Sequence, residues 1–189
     1  MSLSSYYKDH WVEIEDERLD RYEKMFQWSP AFEQLLEPAD IARGQTVGDL
    51  GCGPGFLTLQ LLDRIGPEGH VHSFDVSSDF INRTREKAEA AGLSDRLTLH
   101  HLTGARLPLA DALLDRIIAK NVMVYVDDPA ETFREFKRIL KKGGKAHAID
   151  SDFAMVAIDP VPPTEWRALV DAAEHAFRTP NIGRKLYGL

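Results

Sequence analysis

The stretch Thr46-Val47-Gly48-Asp49-Leu50-Gly51-Cys52-Gly53-Pro54-Gly55 joins a short apolar segment to a glycine-rich turn. After the turn, apolar residues recur with helical spacing from Phe56 to Ile65. The order strand, glycine turn, helix is typical of the first unit of a parallel sheet, where ligands bind outside the carboxyl ends of the strands. We therefore predict that this turn lies at the ligand-binding edge of such a sheet.

Strand and helix patterns alternate downstream of this turn. Further strands are predicted at 70–75, 97–102, 115–119 and 145–149, and helices at 80–91, 129–140 and 163–177. This alternation predicts an α/β fold, a doubly wound parallel sheet with helices on both faces. The 189 residues fit one domain. We expect residues 1–40 to form a helical segment that acts as a lid or cap, and residues 41–189 to form the sheet domain.

The glycine turn and Asp75 together indicate which cofactor the turn receives. Asp75 ends the predicted second strand, 20 residues after Gly55, where a carboxylate can accept hydrogen bonds from ribose hydroxyls. A dinucleotide fingerprint needs a third small residue at position 56, and Phe56 stands there. Pro54 also removes a backbone N–H that a pyrophosphate would use. The turn therefore favours an adenosine ligand without phosphate, such as S-adenosylmethionine (SAM).

Composition and charge disfavour several classes of protein. The net charge is −7 and the isoelectric point about 5.5, whereas nucleic-acid binders usually carry a basic patch. Cys52 is the sole cysteine, which excludes an internal disulfide and fits a reducing cytoplasm. No apolar run is long enough to span a membrane and no signal-peptide pattern opens the chain. The histidines have no local spacing for a metal site, so we assign none.

Four segments together resemble the class I SAM-dependent methyltransferases, in particular the small-molecule group that includes the ubiquinone/menaquinone-biosynthesis type. These segments are 47–55 with the glycine turn, 74–77 with Asp75, 107–111 with Asp115, and Arg138-Ile139-Leu140-Lys141-Lys142-Gly143-Gly144. The resemblance runs over about 45–150. It implies a Rossmann-like fold and a methyltransferase (EC 2.1.1.-) that converts SAM to S-adenosylhomocysteine.

The resemblance also implies a set of cofactor-binding residues. Contacts to SAM are expected at the glycine turn, a ribose contact at the end of the second strand, an adenine pocket beyond it, and a further contact after the fourth strand. The residues are Asp49, Gly51, Cys52, Gly53, Gly55, Asp75, Val76, Thr103, Gly104, Ala105 and Asn121. Cys52 is interpreted as a small residue that fits the turn. Thr103 stands where the family often has an acidic residue that reaches the adenine amino group.

The chain departs from the family at its carboxyl end. The family's sheet usually closes with a sixth strand and an antiparallel seventh, and we expect this chain to lack both. The fifth strand would then be an exposed edge, which favours pairing with a second copy. We therefore expect a homodimer.

Candidates for catalysis follow the predicted fourth and fifth strands. Asn121 could bind an acceptor group, Tyr125 could line the acceptor pocket or hydrogen-bond the acceptor, and Asp150 could act as a base or bind a cationic substrate. Tyr125 is equally compatible with a packed aromatic, and Asp150 with a solvated loop carboxylate. The predicted function is methyl transfer to a small molecule. The alternatives are another SAM-derived transferase of the aminopropyl type, or a non-catalytic SAM-binding protein.

Overall fold

Short helices precede the sheet in the computed structural model, which describes residues 6–12, 14–155 and 159–188. They are α1 (Tyr6–Val12), α2 (Asp16–Met25) and α3 (Glu33–Leu36), which continues a 3-10 turn at Pro30–Phe32. Proline starts that turn because it lacks the N–H that the first helical position would leave unpaired. The predicted helical segment 1–40 is thus divided into several short pieces, and its residues 1–5 and 13 lie outside the described residues.

Five parallel strands form the sheet of the described residues. They are β1 (Thr46–Leu50), β2 (His70–Asp75), β3 (Leu97–His101), β4 (Leu114–Lys120) and β5 (Leu140–Ile149). Their order is β3-β2-β1-β4-β5, and each strand is parallel to its neighbours. The connecting and following helices are α4 (Phe56–Ile65), α5 (Ser78–Ala90), α6 (Pro129–Ile139) and α7 (Pro163–Ala176). The predicted doubly wound parallel sheet is confirmed.

The central strand β1 separates two buried clusters, since alternate side chains of a strand face opposite sides. Val47 packs with Leu61 of α4 on one face. Leu50 packs with Phe74 of β2 and Phe136 of α6 on the other. The sheet is therefore covered on both faces, and the carboxyl ends of β1, β2 and β4 lie side by side at one edge.

The fifth strand begins five residues earlier than the sequence predicts, at Leu140 and not at Lys145. In the sequence, the pair Gly143-Gly144 indicates the end of a helix. In the structure, Leu140 before this pair is already a strand residue that pairs with Leu114 of β4. The register between β4 and β5 shifts after that pair, and Gly143 takes a left-handed φ of 81° within the irregularity. The glycines therefore form a bulge inside the strand.

The chain continues from β5 into α7 and short 3-10 turns, and the described residues contain no sixth strand. Within them β5 is an edge strand of the sheet. Dimerisation through this edge stays a prediction. None of the helices in the described ranges combines the length and the apolar character needed to cross a membrane.

Candidate functional site

Three glycines after β1 take left-handed backbone angles, but the space on their Cβ side differs. A Cβ on Gly51 (φ 67°) would lie 2.2 Å from Cγ2 of Val122, and one on Gly55 (φ 89°) would lie 2.8 Å from Oγ1 of Thr84. Gly53 (φ 52°) has nothing within 4 Å of its Cβ position. Gly51 and Gly55 therefore let the protein pack on itself, whereas Gly53 leaves its backbone open to a ligand.

Asp75 fastens this loop to the end of β2. Its Oδ2 accepts a hydrogen bond from the backbone N of Gly53 at 2.8 Å, and its Oδ1 accepts one from the N of Ser77 at 2.9 Å. Burial raises the pKa of Asp75 to about 6, while these backbone N–H groups counteract the rise. The cap of α5 is Ser77, whose Oγ accepts from the N of Phe80. A carboxylate has about four acceptor positions, so Asp75 keeps capacity for a ligand hydroxyl beside its contacts with the backbone N–H groups of Gly53, Val76 and Ser77.

Asp49 lies beneath the loop and not in the cavity wall. It is 1% exposed, and its Oδ2 accepts a hydrogen bond from Oγ1 of Thr58 at 2.7 Å. Oγ1 of Thr58 is in turn 2.9 Å from Oγ of Ser73. Burial raises the pKa of Asp49 to about 7. This chain of hydroxyls joins β1, α4 and β2 below the glycine turn.

A cavity of about 1330 Å³ opens at the carboxyl edge of the sheet. Pockets for single small ligands usually measure roughly 300–1,000 Å³, so there is room for a second molecule beside a cofactor. Most of the predicted site residues line this cavity, and Asp49 and Gly55 do not. Those that do are Gly51, Cys52, Gly53, Asp75, Val76, Thr103, Gly104, Ala105, Asn121, Tyr125 and Asp150.

One end of the cavity lies beyond β2 and β3, where the adenine pocket is predicted. Val76 is 39% exposed there, and Gly104 has open space around its Cβ position. His101 also lines this end, and its Nε2 lies 3.0 Å from the carbonyl oxygen of Val76. His101 is not among the residues predicted from the sequence, although its position at the end of β3, opposite Asp75, was a signal for it.

Asn121 and Tyr125 stand at the other end of the cavity, after β4. Asn121 takes a left-handed φ of 57°, which is uncommon outside glycine but most accessible to Asn and Asp. Its backbone N donates to the carbonyl oxygen of Ile149, so the turn is tied to β5. Tyr125 is half-buried, and burial raises the pKa of its hydroxyl further above the usual value.

Asp150 supports the same turn through the backbone. Its Oδ2 accepts from the N of Val124 at 3.0 Å, and its Oδ1 from the N of Ser151 at 2.8 Å. Burial raises the pKa of Asp150, and the backbone N–H groups around it counteract the rise. The carboxylate thus organises the turn that carries Tyr125. Its roles as a base or as a ligand for a cationic substrate stay predictions.

The remaining wall is apolar and aromatic, and much of it comes from the N-terminal helices. Trp11 of α1 meets Tyr125 edge-on at 5.2 Å between ring centroids. Tyr22 of α2 stacks on Phe26 at 5.7 Å, and both line the cavity. The N-terminal helices therefore enclose the end of the cavity that holds Tyr125.

Cys52, His72 and His100 are packed among other groups of the protein. Burial raises the pKa of the Cys52 thiol well above its usual value, which opposes a nucleophilic thiolate. His72 Nδ1 and His100 Nε2 lie 3.1 Å apart, and Phe74 stacks on His100. In the described part of the chain no three His, Cys, Asp or Glu side chains are grouped to hold a metal ion.

Comparison with known proteins gives the same family as the resemblance of the sequence segments. The family described as "Methyltransferase domain" matches residues 41–176. The chain is 33% identical over 118 residues to methyltransferase GfsG of Streptomyces halstedii, covering 62% of this chain and 42% of that protein. It is 32% identical over 111 residues to the demethylmenaquinone methyltransferase of Listeria welshimeri, covering 59% and 47%. The chain thus spans less than half the length of these relatives.

A solved structure shows the same fold over nearly the whole chain. It is a SAM-dependent methyltransferase from Aquifex aeolicus, with a TM-score of 0.66, 23% identity, and coverage of 87% of this chain and 88% of that chain. The prediction of family membership from the glycine turn and the three later segments is confirmed. The chain belongs to the methyltransferase-domain family of SAM-dependent methyltransferases.

Proposed function

We propose that this protein transfers the methyl group of SAM to a small-molecule acceptor. The observation that carries the proposal is a single cavity that joins the open face of Gly53 and the carboxylate of Asp75 to the aromatic wall around Tyr125. A cofactor and an acceptor can therefore be held next to each other. The named relatives, a demethylmenaquinone methyltransferase among them, support a small-molecule acceptor.

The cofactor-binding part of the proposal assigns contacts at the glycine turn and at the end of the cavity beyond β2 and β3. The open backbone at Gly53 fits a group that must approach closely, and Asp75 has acceptor capacity left for the ribose. The adenine would lie between Val76 and the turn 103–105, where Thr103 offers a hydroxyl. Asp49 supports the loop from below, so we propose an indirect role for it.

The chain's contribution to the reaction is chiefly positioning. SAM supplies a methyl group on a sulfonium, and the sulfur departs as a neutral thioether that needs no acid. Asn121 and Tyr125 would orient the acceptor in line with that methyl, and holding reactants in such a geometry is itself a large catalytic effect. We propose that Asp150 acts as a positioning residue, because it fixes the backbone that carries Tyr125.

The surroundings of the site support further parts of the proposal. The N-terminal helices would act as a lid that excludes water from the transfer. The acidic net charge disfavours a nucleic-acid acceptor. The single cysteine supports a cytoplasmic location.

Calorimetry with SAM and with S-adenosylhomocysteine tests the proposal. We expect both to bind the wild type, and Asp75→Asn to weaken binding by about ten- to a hundredfold, as for a lost hydrogen bond to a charged group. Asparagine retains one acceptor oxygen and so perturbs the loop less than alanine. Asp95→Asn, an exposed position on the 3-10 turn before β3, is the matched control and should bind like the wild type. No binding by the wild type would refute the function, and unaltered binding by Asp75→Asn would refute the ribose contact.

A further inference from the structure

Lys120 is a charged residue in the cavity wall that the proposed reaction leaves unused. It ends β4, next to Asn121, and its side chain is half-buried. Its Nζ lies 4.4 Å from the centroid of the Phe32 ring. Within the described ranges, no group makes a hydrogen bond or an ion pair with Nζ of Lys120. A cation thus stands against an aromatic face in the cavity without an anion in contact.

Two carboxylates act on Lys120 from a distance. Burial lowers the pKa of Lys120, whereas the charges of Asp49 and Asp150 raise it and so favour the ammonium form. Both carboxylates are already engaged, Asp49 with Thr58 and Asp150 with the backbone of Val124. Withdrawing an ammonium from water is unfavourable unless an anion contacts it. An anionic group of a bound molecule, in contact with the ammonium of Lys120, would remove this unfavourable free energy.

The order of the strands indicates which anion reaches Lys120. The predicted adenine pocket lies beyond β3 and β2, and Asp75 ends β2. Neighbouring strands are about 4.8 Å apart, and β1 lies between β2 and β4. The end of β4 is therefore roughly 10 Å from the end of β2 along the same edge. In register, Leu50 of β1 pairs with Ala119 of β4, which sets Lys120 beside Gly51 of the turn. A cofactor with its adenosine at β3 and β2 therefore extends its amino-acid end towards Lys120.

We propose that Lys120 binds the carboxylate of the cofactor's amino-acid end and makes the cavity selective for intact SAM over its decarboxylated form. This inference rests on the proposed function. Decarboxylated SAM keeps the amino group and loses the carboxylate, so a second positive charge would approach Lys120 with no anion between them. Lys120 thereby disfavours aminopropyl transfer, which uses the decarboxylated cofactor, and favours methyl transfer.

The test compares two ligands that differ only in that carboxylate. S-adenosylhomocysteine and its decarboxylated analogue, in which the amine remains, are titrated by calorimetry into the wild type, Lys120→Met, Lys120→Arg and Lys142→Met. Methionine keeps the length of the side chain without its charge. Lys142 is an exposed lysine of β5, so its variant controls for the loss of one positive charge from the molecule.

We expect the wild type to bind S-adenosylhomocysteine at least about tenfold more tightly than the analogue, in the range of a hydrogen bond between charged groups. Lys120→Met should reduce this preference to less than about threefold, mainly by weakening S-adenosylhomocysteine. Lys142→Met should retain the full preference, and Lys120→Arg most of it. A purely structural role for Lys120 would weaken both ligands alike.

The outcomes separate this inference from the proposed function. Failure of the wild type to bind S-adenosylhomocysteine would refute the function itself. Equal binding of the two ligands by the wild type would leave the function intact and overturn the role of Lys120, and so would a full preference in folded Lys120→Met. Thermal unfolding checks that each variant is folded. If Lys120→Met is not folded, the ligand preferences of the wild type and of Lys120→Arg test the role of Lys120 instead.

Discussion

The glycines of the loop have different neighbours, although the sequence presents them as one repeated pattern. Gly51 faces the side chain of Val122, while Gly53 faces the open cavity. Both adopt a left-handed φ, which costs an alanine about 1–2 kcal/mol. What distinguishes them is the space on the Cβ side, so we interpret Gly51 as a structural glycine and propose Gly53 as a ligand contact.

The pair Gly51→Ala and Gly53→Ala tests that distinction. Gly51→Ala forces a methyl group into Val122, so we expect a loss of about 3 kcal/mol in the free energy of unfolding, from backbone strain plus overpacking. Gly53→Ala should lose only about 1 kcal/mol, the strain alone, yet it should weaken S-adenosylhomocysteine more than tenfold because the methyl occupies ligand space. Urea unfolding and calorimetry measure the two effects. Equal stability losses in the two variants would contradict this assignment.

At the scale of elements, the N-terminal helices are attached to the sheet domain through their own contacts. Ile14 and Leu19 form a small cluster with Phe80 of α5. Arg83 of α5 also pairs with Glu23 of α2, Nη1 to Oε2 at 3.0 Å. Among the residues that the structure describes, the two large clusters of the sheet include none from α1 or α2. These helices can therefore be removed with the main core left in place.

Deletion of residues 1–27 should accordingly keep the fold and impair the site. We expect a cooperative thermal unfolding transition, because both main clusters remain. The affinity for S-adenosylhomocysteine should fall by about tenfold or more, since Trp11 and Tyr22 no longer shield the cavity from water. Affinity and methyl-transfer turnover equal to those of the full chain would show that the helices are not a lid.

Sequence patterns predict the bounds of a helix or strand when nearby residues determine where it begins and ends. The bounds of α4 and β2 agree with the sequence prediction because glycine and the change of period mark both ends. The early start of β5 escapes prediction because it depends on Leu114, a partner distant in sequence. The same holds for the site. Gly53 and Asp75 belong to a motif, whereas the contact of Asp150 with Val124 and the place of Lys120 in the cavity wall arise only when distant strands meet.

At the scale of the whole molecule, buried carboxylates couple stability to pH. Burial raises the pKa of Asp49 from 3.8 to about 7, so between these pH values the folded state binds a proton there that the unfolded state releases. The contribution of Asp49 to the free energy of unfolding is therefore fully present below about pH 4, and it is lost as the pH rises to about 7. Several histidines with lowered pKa values, His72 among them, act in the opposite direction. A substitution of Asp49 is therefore needed to separate its effect on the pH dependence of stability from the effect of the histidines.

The variant Asp49→Asn provides that separation, because asparagine resembles the protonated acid and can still accept from Thr58. We expect the wild type to lose stability relative to the variant as the pH rises from 4 to 7, with a slope approaching about 1.4 kcal/mol per pH unit. Urea unfolding at several pH values measures the difference, and Asp95→Asn is the exposed control. A difference that does not vary with pH would contradict the raised pKa.

Asp75 is both a hydrogen-bond partner of the glycine turn and a residue of the cavity wall, and this limits how the proposed cofactor site can be redesigned. One carboxylate both shapes the glycine turn, through Gly53, and lines the cavity where we propose that the ribose binds. Exchanging Asp75 to admit an altered ribose would therefore change the turn at the same time, and the two effects could not be optimised separately. Val76 and Thr103 line the same end of the cavity, and no hydrogen bond of their side chains holds the turn in the described residues. Engineering for synthetic cofactor analogues should thus begin at these two positions and leave Asp75 unchanged.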